Sequence, residues 1–136
     1  SLAGVARIFR SVDSFKRMIE MVPSEYNGLE FCQGTFAEMG ANVIEAIQYF
    51  GARKKIFYVH FRNVKGAVPK FDECFIDEGD VNMLEAMKAY KEVGFDGPVI
   101  DDHTPRVIDD TPWGHRGRAY ALGYMKALMK TVDSMT

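Results

Sequence analysis

Three short runs rich in aromatic and β-branched residues alternate with stretches of helical periodicity, and this alternation constrains the fold most. The runs are Leu29-Glu30-Phe31-Cys32, Ile56-Phe57-Tyr58-Val59-His60 and Val99-Ile100-Asp101. Asn27-Gly28 leads into the first and Gln33-Gly34 out of it, Arg53-Lys54-Lys55 precedes the second, and Gly97-Pro98 breaks the chain before the third. Runs of this length and content read as buried strands. The first helix spans Val12 to Met21, with Val12, Phe15, Ile19 and Val22 on one face and Ser11 or Asp13 as its cap. A second follows Asn42, with Val43, Ile44, Ile47 and Phe50 inward and Gly51 closing it. A third, capped by Asp80, turns Met83, Leu84, Met87 and Val93 inward and stops at Gly94. A last helix from about Ala119 carries Leu122, Met125, Leu128, Met129 and Val132. Helices alternating with strands predict an α/β chain of parallel βα units, either doubly wound or rolled into a barrel. No Gly-x-Gly-x-x-Gly follows a strand and no Gly-x-x-x-x-Gly-Lys-Ser/Thr occurs, which counts against nucleotide-binding versions.

The chain has 136 residues, the size of one domain. With 47% hydrophobic and 26% charged residues its composition is globular. Seventeen basic residues against nineteen acidic ones give a formal net charge of −2, so there is no electrostatic footprint for nucleic acid or a membrane surface. No apolar run reaches the ~20 residues of a membrane span, and residues 1–10 have no leader-like pattern. Two cysteines, Cys32 and Cys74, make no disulfide framework, which points to a reducing cytoplasm.

The strand ends carry the chemistry. Cys32 closes the first strand, His60 the second and Asp101-Asp102-His103 the third, and parallel α/β folds gather their sites at the carboxyl ends of strands. A thiolate, an imidazole and a carboxylate on one rim suit Mn²⁺, Fe²⁺, Zn²⁺ or Co²⁺ better than Ca²⁺ or Mg²⁺. Each residue also has a plainer role: a buried Cys as a small hydrophobe, a histidine at a strand end, an Asp capping a helix. Arg62 and Asn63, two and three residues after His60, are either binders of an anionic substrate or a surface turn. Cys74, with no clear strand before it, reads as core or loop packing. Trp113-Gly114-His115-Arg116-Gly117-Arg118 is either a solvated loop or an arginine-rich anion site at a helix start.

Gly28-Leu29-Glu30-Phe31-Cys32-Gln33-Gly34, His60-Phe61-Arg62-Asn63-Val64 and Asp101-Asp102-His103, with the Gly- and Arg-rich approach to Ala121-Leu122-Gly123, resemble mannonate dehydratase. Phe71-Asp72-Glu73 and Gly79-Asp80-Val81-Asn82-Met83 fit as well, so the resemblance runs from about Gly4 to Val132. It implies a (β/α)8 TIM barrel of the xylose-isomerase-like kind and a hydro-lyase. The implied reaction is metal-dependent removal of water from D-mannonate, giving 2-keto-3-deoxy-D-gluconate in hexuronate (glucuronate) breakdown. Carried over by position, the metal ligands are Cys32, His60 and Asp102, the metal Mn²⁺ or Fe²⁺, and the catalytic histidine His103. Arg62 and Asn63 are the implied substrate binders.

A (β/α)8 barrel takes ~250 residues. The resemblance therefore makes residues 1–136 the C-terminal part of one catalytic TIM-barrel domain, about the last three to four βα units. A further histidine ligand of the family has no counterpart, and His115 is the only spare histidine. Tyr120 is an approximate match to a tyrosine of the family. The implied partners are a sugar acid, the N-terminal remainder of the barrel and further copies in a homo-oligomer. The alternatives are a related metal-dependent sugar isomerase or epimerase, and a non-catalytic half-barrel that serves only as an assembly module.

Overall fold

A computed structural model describes residues 4–135; residues 1–3, the start of the stretch read above for a leader, and residue 136 lie outside the described residues. The helix α1 (Val12–Met21) begins at Ser11, not Asp13. The Ser11 hydroxyl accepts from the Ser14 amide, and the Ser14 hydroxyl accepts from the Ser11 amide, satisfying two donors that a helix start leaves open. Val22 falls just past the helix and is exposed, outside the apolar face expected for it.

Strand β1 (Leu29–Cys32) runs directly into a short helix, α2 (Gln33–Glu38), where the sequence reads an exit turn. Next come α3 (Val43–Ala52) and strand β2 (Ile56–His60). A hairpin that the sequence reading did not contain follows: β3 (Val64–Ala67) and β4 (Lys70–Glu73), antiparallel about Val68-Pro69. Then α4 (Met83–Glu92), the two-residue β5 (Val99–Ile100) and α5 (His115–Ser134) complete the order. The sheet is parallel, β1-β2-β5, as the βα alternation predicts.

Several expected helix boundaries are corrected. The cap of α4 is Asn82, whose side chain accepts from the Glu85 amide, while Asp80 accepts from the Gly66 amide and ties the hairpin down. Gly51 is inside α3 rather than after it, and a Cβ there would collide with the side chain of Val93, just past the end of α4. Gly94 does end α4, at φ 67°. The last helix starts four residues early, at His115, and buries Ala121, Met125, Leu128 and Val132, leaving Leu122 and Met129 outward. Replacing Asn82 with alanine is expected to lower the unfolding free energy by about 1 kcal/mol in a urea titration; an unchanged midpoint would contradict its capping role.

Alternation along the strands separates two chemistries. Leu29 and Phe31 of β1, with Val59 and the following Phe61, are buried in the hydrophobic core. Phe31 stacks on Phe36 with ring centroids 4.2 Å apart and meets Tyr90 edge-on. The helices lie in a row beside that layer, α2 on α3, α3 on α4 and α4 on α5. Glu30 and Cys32, Tyr58 and His60 alternate with those apolar residues and are only partly buried or exposed. The polar face of the sheet is where a site can form.

Candidate metal centre

Cys32 and His60 are direct partners across β1 and β2, and His60 pairs with Ile100 of β5, so three strand ends stop at one level. Two residues past Ile100, Asp102 turns back over the sheet. Its φ of 63° is left-handed, a conformation an Asp tolerates better than most residues at a cost on the order of 1 kcal/mol. One ligand atom each from Cys32, His60 and Asp102 lies within 4.8 Å of the other two, and all three residues are half-buried. Soft sulfur, borderline nitrogen and hard oxygen at that separation fit a divalent transition metal held between them. Among the described residues the cluster has these three donors.

Both ring nitrogens of His60 have carboxylate neighbours. Nδ1 faces Asp102 Oδ2 at 3.5 Å, and Nε2 faces Glu30 Oε1 at 3.0 Å. The same Asp102 oxygen lies 3.4 Å from His103 Nε2, and His103 Nδ1 is 3.7 Å from Glu73 Oε2. His103 thus stands beside the cluster, half-exposed, at the edge of a cleft of about 580 Å³ whose walls include Thr104, Arg106, Trp113 and Arg118.

Arg62 is the hub beneath the centre and no surface turn, being 7% exposed. Its guanidinium reaches Glu38 of α2 at 2.6 Å, Glu73 of β4 at 3.0 Å and Asp102 Oδ2 at 3.1 Å. The Nε contact to Asp102 is off the line of a hydrogen bond, leaving that buried N–H without an aimed acceptor. Burial disfavours the charge, but Cys32, then Glu38 and Glu73, outweigh it and hold Arg62 protonated, with its pKa raised. Gly34 makes the approach possible: a Cβ there would come within 2.6 Å of Cζ.

Asn63 is also buried. Its amide nitrogen donates to the Ile76 and Val81 carbonyls, and its oxygen accepts from the Val64 and Val81 amides. The side chain clasps loop 74–82, and each of its polar atoms is already engaged within the chain. Gln33, a turn residue by sequence, is fully buried, donating to the Arg62 carbonyl and accepting from the Tyr90 hydroxyl. Burial, then Cys32, push the Tyr90 hydroxyl well above its usual pKa, so it remains a neutral donor.

Cys74 directly follows strand β4, contrary to the sequence reading, and both cysteines are free. The Gly- and Arg-rich segment is largely exposed, but from His115 on it is helix rather than loop, and a carboxylate of this chain already takes the helix start. Asp110 takes the start of α5 itself, accepting from the Thr111, Arg116 and Gly117 amides. The Arg116 amide above all, with those of Gly117 and Thr111, holds the Asp110 carboxyl below the usual range. Arg116 donates to the Ile108 carbonyl, and Arg118 to the Trp113 carbonyl and to buried Asp101. His115 is tied to Thr111, and Tyr120 donates to Asp77 at 2.7 Å. Sequence reasoning missed Glu30, Glu38 and Glu73. Glu30 had a signal, since it is two residues before Cys32 on one strand and shares its face.

Residues 1–136 match the sequence profile of D-mannonate dehydratase (UxuA) from end to end. The chain belongs to the D-mannonate dehydratase family. It is 35% identical to mannonate dehydratase 2 of Halalkalibacterium halodurans over 96% of this chain and 38% of that protein. With the Thermotoga maritima mannonate dehydratase it shares 34% identity over 99% of this chain and 39% of the relative. The crystal structure of mannonate dehydratase from Streptococcus suis serotype 2 superposes with a TM-score of 0.90 at 25% identity, covering 97% of this chain and 40% of that one. A xylose isomerase domain protein from Planctomyces limnophilus shares the fold at TM-score 0.75 over 91% of this chain and 45% of that one, at 22% identity. The chain is therefore mixed α/β of the xylose-isomerase-like TIM-barrel kind and spans about two-fifths of the curated relatives' length. These findings do not favour the isomerase or epimerase alternative. No helix among the described residues is long and apolar enough to cross a membrane.

Proposed function

We propose that this chain is the later part of a metal-dependent mannonate dehydratase. Its strands would form about the last three to four βα units of a (β/α)8 barrel, completed by an N-terminal remainder in a cytoplasmic homo-oligomer. The observation that carries the reading is the convergence of Cys32, His60 and Asp102 at three successive strand ends, with His103 beside them.

The reaction removes a proton from C2 and hydroxide from C3 of D-mannonate. The resulting enol becomes 2-keto-3-deoxy-D-gluconate, which belongs to hexuronate breakdown. Both bonds are hard to break, because the C2 proton is weakly acidic and hydroxide leaves poorly. Mn²⁺ or Fe²⁺ held by Cys32, His60 and Asp102 would supply Lewis acidity to the substrate oxygens. His103 would move a proton, its ring kept at the edge of the cleft by Asp102 and Glu73. Arg62 holds Asp102 in place, and the buried Asn63 clasps loop 74–82.

Purified full-length protein with Mn²⁺ is expected to convert D-mannonate to a 2-keto acid, and His103→Asn to lower kcat roughly 10²–10⁴-fold with Mn²⁺ binding intact. Full turnover by the His103 variant, or none by the Mn²⁺-loaded protein, would contradict the proposal.

A further inference from the structure

We propose that Arg118, on the first turn of α5, is a positioning residue for the metal ligand Asp102 and its neighbour His103. The inference rests on the reading of Cys32, His60 and Asp102 as a metal centre. Arg62 lies against the Asp102 carboxylate, but the Asp102 backbone is left-handed at φ 63°, and such a conformation persists only where the surroundings impose it. They do so on both sides of the pair. Before it, Asp101 is 6% exposed, and its Oδ1 accepts from Arg118 Nη1 at 3.0 Å. After it, Thr104 and Pro105 lie against Gly117: a Cβ there would run into the Thr104 hydroxyl and come within 3.3 Å of the Pro105 carbonyl oxygen.

Two consecutive residues of one helix thus grip the chain on either side of Asp102 and His103. Arg118 Nε also donates to the Trp113 carbonyl at 3.0 Å, so one guanidinium joins the two ends of segment 101–113. Between those ends, Asp110 accepts from the Gly117 amide. Asp101 Oδ2 is buried with no hydrogen-bond partner, which leaves Arg118 to offset the charge of that carboxylate. A charge-assisted bond of this kind is strong and directional. Residues 101 and 102 share one planar peptide, so a shift of Asp101 is passed to the Asp102 backbone and its carboxylate. Arg118 also lines the cleft that His103 borders, and positioning has to be separated from direct contact with the substrate.

The test takes the full-length protein and combines Mn²⁺ titration followed by electron paramagnetic resonance, D-mannonate kinetics, and amide hydrogen exchange of the metal-free form. Arg118→Ala is expected to speed exchange in residues 101–105 and to weaken Mn²⁺ binding ~10–100-fold, the range for groups that hold a ligand from behind. It is expected to lower kcat ~10²-fold with little change in KM, the effect of a misplacement of about 1 Å. Arg118→Ala leaves Asp101 buried without its cation, so the double variant Asp101→Asn/Arg118→Ala is measured beside it. The double variant removes that charge and is expected to show the same losses in a stably folded protein. Arg118→Lys, which keeps the charge but not the planar fork that reaches both Asp101 and Trp113, is expected to recover part of the Mn²⁺ affinity. Wild-type exchange and Mn²⁺ affinity in the double variant, or a raised KM at unchanged kcat in either variant, overturns the role of Arg118 while leaving the metal centre standing. A wild-type protein that binds no Mn²⁺ overturns the centre and this proposal together.

Discussion

Cys32→Ser and His60→Ala are each expected to weaken Mn²⁺ binding by more than ~100-fold, beyond the loss that follows removal of an outer hydrogen-bond partner. Mannonate turnover is expected to disappear with the metal. Each change takes one donor from a set of three that lie within 4.8 Å of one another, leaving the cation two protein ligands from this chain. Serine keeps the shape of Cys32 but replaces a soft thiolate by a hydroxyl that does not ionise near neutral pH. His60→Ala removes the ring that joins Cys32 to Asp102 across the sheet. Neither residue is in the hydrophobic core, so the metal-free variants are expected to melt close to the metal-free wild type. Equilibrium dialysis with thermal melts checks both halves, and full Mn²⁺ affinity in either variant would remove that residue from the centre.

Arg62→Ala is expected to act differently, by destabilising the protein about 3–5 kcal/mol, the usual cost of removing one partner from a buried ion pair. The arginine is 7% exposed, and its removal leaves Glu38 and Asp102 facing each other's charge with no cation between them. Glu73, more exposed, contributes less, because water screens it. The loss would reach three elements together, since one guanidinium ties α2, β4 and the turn after β5. Arg62→Lys keeps the charge but not the planar fork, and is expected to recover only part of the stability. A melt within 2 °C of the wild type for Arg62→Ala would contradict this account.

The main strands and helices were legible because their cause is local. Phe31, Val59 and Ile47 follow the periods of strand and helix, and Cys32, His60 and Asp102 sit where those strands end. The hairpin was not legible: Val64-Lys65-Gly66-Ala67 and Lys70-Phe71-Asp72-Glu73 show no sustained alternation, and their pairing is fixed by Asp80 on Gly66 and by the Val68 amide on the Glu38 carbonyl. Both are contacts between residues distant in sequence. Asp80 likewise looked like the cap of α4 and Asn82 did not, although both are good capping residues; the hairpin claims Asp80. Arg62 and Asn63 next to the site histidine read as substrate binders or a turn. Their burial, and hence their structural tasks, depends on where Glu38, Glu73 and loop 74–82 come to rest. Leu122 and Met129 show the converse, apolar residues on an amphipathic helix that the packing of α4 against α5 leaves outside.

The central claim is that Cys32, His60 and Asp102 hold one divalent metal, and anomalous diffraction at the manganese edge from Mn²⁺-loaded crystals tests it most directly. The account predicts a peak at direct bonding distance from Cys32 Sγ, one His60 ring nitrogen and an Asp102 carboxylate oxygen. A peak elsewhere, or none in crystals grown with saturating Mn²⁺, would contradict it.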